Sequence, residues 1–202
     1  VVITADRGTF TLATSSATYD VGTQGTAAST VTISGTVTNI NVAIATITWT
    51  SAADDNTNAV ITVVTNDGDT TDTDTMSIAV NAVNDAPANA GDAAGPSEDV
   101  AYSSWTAATD WGYTDVDSDT MVSITLKSLP SQGTLTEASS ACGGTCEVDD
   151  VITLANLGNL IYTGASNYNG ADSFTYTVQD AALSSSTGTM TLTVAAVNDA
   201  PV

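Results

Sequence analysis

Asp115-Val116-Asp117-Ser118-Asp119 is the segment of this sequence best equipped for chemistry. Three carboxylates at alternate positions share a face on a strand, and in a loop they converge on one point. Converging carboxylates repel one another unless a cation lies between them. Calcium suits such a group, because it takes about six to eight oxygen ligands from carboxylates, amide oxygens, carbonyls and water. The segment lacks the glycine and distal glutamate that would complete an EF-hand loop. Without a cation it reads as a solvated turn, since Asp and Ser bond readily to nearby backbone.

The cysteines, Cys142 and Cys146, stand in Cys-Gly-Gly-Thr-Cys. A structural zinc site wants four ligands, and the chain has no histidine to complete one. A disulfide across a turn is the better reading, at the tip of a hairpin with Thr134 to Ala138 as one arm and Glu147 to Leu154 as the other, and it implies an oxidising, extracellular compartment. Lack of histidine also removes the ordinary Ser-His-Asp and Cys-His arrangements. Glycine-rich phosphate loops are absent as well. Carboxylate pairs of the glycosidase kind are plentiful. A glycosidase also needs an aromatic-lined cleft, and aromatics make up only 5% of this chain. Trp49, Trp105 and Trp111 read as core or rim residues, with Trp111-Gly112-Tyr113 as the one candidate for surface recognition. No residue is assigned a catalytic role, and the expectation is a non-enzymatic protein.

Charge narrows the partners. Asp and Glu number 23 against two basic residues, Arg7 and Lys127, for a net charge of −21. Two scattered cations cannot make the basic stripe that a nucleic-acid backbone or an anionic membrane surface requires. Carboxylates held in one compact body repel each other, so divalent cations or a salty medium would relieve the chain. No run approaches the roughly 18 apolar residues of a membrane span.

The elements that must position these groups are strands. Thr9-Phe10-Thr11-Leu12, Thr30-Val31-Thr32-Ile33, Thr175-Tyr176-Thr177-Val178 and Thr189 to Val194 alternate polar with apolar residues. That period of two marks half-buried strands, and Thr and Val suit a pleated surface. One short stretch, Leu154 to Leu160, reads as helical. Asp-Gly, Asn-Gly and Gly-Gly turns separate the strands. The order of segments repeats. Val80 to Pro87 recurs as Val194 to Pro201, Ile47 to Thr50 as Leu160 to Thr163, and Gly8 to Thr11 as Gly133 to Thr136. Two copies of one fold are therefore expected, at 1–87 and 88–202. The second copy has residues 88–132 ahead of its Gly-Thr-Leu strand, whereas the first has only residues 1–7. The fold class is all-β: two tandem immunoglobulin-like β-sandwich units, the first lacking its opening strands.

Several of these segments resemble the tandem cadherin-like repeats of bacterial and archaeal surface proteins and adhesins. They are Val-Asn-Asp-Ala-Pro at 83–87 and 197–201, Ser97-Glu98-Asp99, Tyr113 to Asp119, and Asn167 to Tyr176. The resemblance implies an extended chain of sandwich modules outside the cell, often with calcium near the junctions. Asn84 and Asp85 lie at the junction entering the second unit. With Asp115, Asp117, Asp119 and Glu98 they form the expected calcium set. A second set, Asp172, Asp180, Asn198 and Asp199, would need ligands from a following unit. The function expected is that of a calcium-stiffened structural or adhesive module, whose partners are adjacent repeats or copies of itself. The alternative is a subunit of an extracellular filament, joined head to tail by strand exchange. Val1–Thr4 or Ala195–Val202 would then be the donor segment.

Overall fold

The computed structural model describes residues 1–13, 18–21, 27–106, 109–138 and 142–199. The chain divides into two compact units, Val1–Val83 and Asn84–Val202. The first Val-Asn-Asp-Ala-Pro segment is split by that boundary, and Asn84 and Asp85 belong to the second unit. Residues 200–202, at the end of one expected donor segment, lie outside the described residues.

Unit one contains β1 (Val2–Ala5), β2 (Thr9–Leu12), β3 (Thr18–Val21), β4 (Thr30–Ser34), β5 (Ile47–Thr50), β6 (Ala59–Asn66) and β7 (Thr71–Ile78). One sheet has the order β3-β4-β1-β6-β7, and β2 pairs with β5 in the other. Alternation does what the sequence indicates. Phe10 and Leu12 of β2, and Val31 and Ile33 of β4, point into a core with Ile3, Ala5, Ala43 and Ile61. A helix, α1 (Val37–Ile44), crosses between β4 and β5. Thr36 caps it by accepting from the Asn39 amide, which satisfies one of the orphan N–H groups of its first turn.

Unit two contains β8 (Ala88–Asn89), β9 (Asp92–Ala94), β10 (Tyr113–Thr114), β11 (Ser123–Leu126), β12 (Gly133–Glu137), β13 (Gly144–Thr145), β14 (Val151–Thr153), β15 (Leu160–Gly164), β16 (Gly170–Gln179) and β17 (Gly188–Val194). A five-stranded sheet, β14-β11-β16-β17-β9, faces a three-stranded one, β13-β12-β15, and β8 pairs with β10. The expected helical stretch is a 3-10 helix, Leu154–Asn159, in the place α1 takes in unit one. Trp105, Trp111, Phe174 and Tyr176 stack in the core with ring centroids 5.2–6.5 Å apart. Trp111 is only 1% exposed, so it fills the core and offers no recognition surface.

Six strands of unit one, β1, β2, β4, β5, β6 and β7, correspond to β11, β12, β14, β15, β16 and β17 of unit two. Phe10 faces Trp49 across β2 and β5, as Leu135 faces Tyr162 across β12 and β15. Ile61 faces Met76, as Phe174 faces Met190. Gly8 and Gly133 open the first strand of each such pair. A Cβ on Gly8 would meet Thr50 O at 2.5 Å, and one on Gly133 would meet Thr163 O at 2.6 Å. No described strand of unit one corresponds to β8, β9 or β10.

Cys142 and Cys146 form a disulfide, with Cα atoms 4.6 Å apart. It closes the β12–β13 hairpin, whose residues 139–141 lie outside the described residues. The sequence reading takes Glu147 to Leu154 as the second arm of this hairpin. That is corrected: β13 pairs with β12, and β14 crosses to the opposite sheet and pairs with β11.

Candidate metal centre

The loop that follows β10 is held by its own carboxylate. Asp115 Oδ1 accepts from the Asp117 amide at 2.9 Å and the Asp119 amide at 3.0 Å. Ser118 between them is left-handed, at φ 67°. The Tyr113 hydroxyl donates to the Asp119 carbonyl at 2.8 Å. Asp115 Oδ2 is buried and has no hydrogen-bond partner. A buried carboxylate oxygen without a donor is costly, and it is the strongest local mark of something unsatisfied.

The start of unit two joins this loop. The register of β8 on β10 sets Tyr113 opposite Asn89 and Thr114 opposite Ala88. The residues before β8 therefore run beside the residues after β10. Asp117 Oδ2 accepts from the Asp85 amide at 2.8 Å. Asn84 donates its side-chain amide to the Asp85 carbonyl at 2.8 Å and to Asp180 Oδ2 at 3.1 Å. Asp180, 1% exposed, stands in the turn between β16 and β17. Its Oδ1 accepts from the Leu183 amide at 2.5 Å and the Ala182 amide at 2.6 Å. Those main-chain donors, then Asn84, hold its carboxyl below the usual range against the opposing effect of burial. Burial pushes the Tyr113 phenol up, and the charges of Asp115, Asp180 and Asp119 push it further. One anionic neighbourhood thus gathers Asn84, Asp85, Asp115, Asp117, Asp119 and Asp180, all within unit two.

Two expectations are corrected here. Glu98, 3% exposed, is engaged elsewhere: it accepts from the Val197 amide at 2.7 Å and the Asn169 side chain at 3.1 Å. Asp180, from the second expected set, lies in this neighbourhood instead. The reason is topological. Because β9 runs parallel to β17, Ser97 and Glu98 end up beside Ala195, where the chain leaves β17. The chain's entry lies at the other end, by the β16–β17 turn. The second expected set also does not assemble. Asp172 is a structural residue whose oxygens accept from the Ser131, Gln132 and Ser173 amides and the Ser131 and Tyr162 hydroxyls. Asn198 donates to the Asp199 carbonyl at 3.1 Å, repeating the turn of Asn84 and Asp85.

The three alternating carboxylates do not meet at one point. Among the described residues, one group of three Cys, Asp or Glu side chains has potential ligand atoms within 4.8 Å of one another, namely Cys142, Cys146 and Asp150. The disulfide removes both thiolates from that group. At the acidic loop the available oxygens are instead spread over side chains, Asn84 and the backbone, the mixed donor set that a hard cation accepts.

A family model for the bacterial Ig domain matches residues 84–193, which is 110 of the 202 residues (84 to 193 inclusive). The chain belongs to the bacterial Ig domain family. The matched Ig domain begins at Asn84, the first residue of unit two. No curated protein matches the chain. Among solved structures, an endo-fucoidan hydrolase of glycoside hydrolase family 107 aligns at 17% identity and a TM-score of 0.32. That alignment covers 93% of this chain and 24% of the hydrolase. At that score the likeness carries no argument, and the chain spans about a quarter of the hydrolase's length.

Proposed function

We propose that this chain is a non-enzymatic structural module of an extracellular surface protein, and that its Ig domain takes calcium where the chain enters unit two. Bacterial Ig domains are typically non-catalytic and are frequent in surface proteins. No described helix is long and apolar enough to cross a membrane. The cadherin-like junction segments and the disulfide fit a module working outside the cell.

The observation that carries the calcium reading is the buried, unpartnered Oδ2 of Asp115, in a neighbourhood where Asp117 accepts from the Asp85 amide and Asp180 from Asn84. Asp115 would hold the ion, and Asp117, Asp180 and the side-chain oxygen of Asn84 would draw in around it, since the oxygens of the three carboxylates do not all lie within 4.8 Å of one another before it binds. It would supply positive charge to carboxylates that have no cation among their hydrogen-bond partners. Bound there, it would tie the entering residues Asn84 and Asp85 to the loop of their own domain, which stiffens the chain at that point. Calorimetric titration of the full chain with calcium tests this, with melting measured in calcium and in chelator. A ligand at 100 times its dissociation constant stabilises by about 2.7 kcal/mol. Asp115→Asn should abolish that gain while leaving the chelated protein nearly unchanged. Identical melting of the wild type in calcium and in chelator would defeat the reading.

A further inference from the structure

The disulfide end of unit two brings three potential metal ligands together. The Sγ atoms of Cys142 and Cys146 and a carboxylate oxygen of Asp150 all lie within 4.8 Å of one another. In the oxidised chain the sulfurs are bonded to each other and cannot act as thiolate ligands. Reduction changes that without removing what holds the group in place. The Cys146 amide donates to the Leu135 carbonyl at 2.9 Å, and β13 pairs with β12 through Thr136 and Glu137. The Asp150 carbonyl accepts from the Leu126 amide at 3.0 Å, which fastens that residue to β11. Asp150 Oδ2 accepts from the Glu147 amide at 2.8 Å and closes the turn between Cys146 and Asp150. None of these bonds passes through a sulfur. A ring of five residues, Cys142 to Cys146 inclusive, also constrains the unfolded chain little, so the domain keeps its fold when the ring opens.

The opened site has the chemistry of a thiophilic cation. Two thiolates and a carboxylate at this distance repel one another unless a cation lies between them. Cys-Gly-Gly-Thr-Cys has the ligand spacing of zinc sites, and sulfurs bound to one tetrahedral zinc lie about 3.8 Å apart. That separation is inside the spread already present. Three protein ligands leave the fourth position to water. Thiolates select zinc or cadmium, whereas calcium prefers oxygen.

The two sulfurs differ in access. Cys146 is 2% exposed, whereas Cys142 is half-buried. A small thiol therefore attacks Cys142 Sγ, forms a mixed disulfide there and expels the Cys146 thiolate. A second thiol attacks the small molecule's sulfur and frees Cys142. Two thiols are thereby oxidised to one disulfide, and the protein gains two electrons and two protons. Binding of a divalent cation then releases both thiol protons.

We propose that the tip of the β12–β13 hairpin is a redox-gated site for zinc or a similar thiophilic divalent cation, closed as the Cys142–Cys146 disulfide and opened by small thiols, with Cys142, Cys146 and Asp150 as its ligands. This goes beyond the calcium reading and uses none of its residues.

The test uses the full chain in saturating calcium, reduced with a phosphine, and takes cadmium as the probe. The expected result is one cadmium per chain, read by the near-ultraviolet thiolate-to-cadmium absorption, displaced by zinc and accompanied by release of about two protons at neutral pH. The oxidised chain should show no such band. Asp150→Asn should keep the band and weaken binding at least about tenfold. Hydrogen exchange over residues 133–137 reads whether the hairpin persists on reduction. The proposal falls if the reduced chain shows no band, or if Asp150→Asn binds cadmium as tightly as the wild type. It also falls if binding accompanies loss of protection over 133–137, because the ligands are then those of an unfolded segment.

Discussion

Asp172 shows how one side chain can look like a ligand and be a structural post. Its two oxygens receive three backbone amides and two hydroxyls, including the buried Tyr162 hydroxyl at 2.9 Å. Burial, then the bond and charge of Asp172, push the Tyr162 phenol well above its usual range. Asp172→Ala leaves those donors without an acceptor inside the domain, and should cost about 3–5 kcal/mol. Tyr162→Phe removes one donor and leaves Asp172 the other four, and should cost only about 1 kcal/mol. Urea unfolding measures both. Near-equal losses would mean that the hydroxyl, rather than the carboxylate, organises the cluster. The sequence shows no sign of the donors to Asp172, because Ser131 and Gln132 come from a loop some forty residues away, at separations of 41 and 40. Asp115, Asp117 and Asp119 were legible as one loop because their interactions are local. Asp180 was not legible as their neighbour, since that proximity depends on β16 and β17 turning at the entry end of the domain.

Elements were read unevenly for a physical reason. Strands of alternating Thr with Val, Ile, Leu or Phe announce themselves, and β2, β4, β16 and β17 lie where alternation indicates. The helix α1 went unread because Val37-Thr-Asn-Ile-Asn-Val-Ala-Ile is rich in β-branched residues and Asn, which are poor helix formers. Its signal is the Thr36 cap with Ile40, Ala43 and Ile44 at helical spacing. The parallel pairing of β9 with β17 leaves no local mark in the sequence, so the place of Glu98 beside the end of β17 is not legible there. The two hairpin turns are clearer. Asp67 accepts from the Thr70 and Asp69 amides as Asp180 accepts from those of Leu183 and Ala182. In both cases these amides are the main cause holding the carboxyl below 3.8. A depressed carboxyl stabilises the fold above its ordinary pKa, and that contribution fades as pH falls through the lower folded value. Asp67→Asn or Asp180→Asn should therefore flatten the loss of stability below about pH 4, because the amide oxygen still accepts but no longer titrates. Unchanged acid profiles would sink this account. The disulfide belongs to the same scale. It closes a five-residue ring, Cys142 to Cys146 inclusive, so its loss should lower stability by about 2 kcal/mol at most. A larger drop for the paired Cys142→Ser and Cys146→Ser variant would show that it holds more than the hairpin tip.

At the scale of the whole chain the two units are unequal. Among the described residues, the core of unit two holds seventeen buried apolar side chains, including two Trp, two Tyr and Phe174. That of unit one holds eight, with Phe10 the largest. Smaller domains bury a lower fraction of their surface and are less stable for it. Unit one also keeps Met76 exposed where unit two buries Met190. The chain should therefore melt in two steps, unit one first. Calorimetry reads the steps, and one core truncation in each unit assigns them. Ile33 and Ile124 are both fully buried, the first in unit one and the second in unit two. Replacing a buried Ile by Ala costs about 2–5 kcal/mol. Ile33→Ala should lower only the first transition and Ile124→Ala only the second, because each cavity opens in its own core. Raising salt should lift both steps, since a charge of −21 repels itself and ions screen that repulsion within about 10 Å at 0.1 M. A single transition lowered alike by either substitution would mean that the units unfold as one cooperative body.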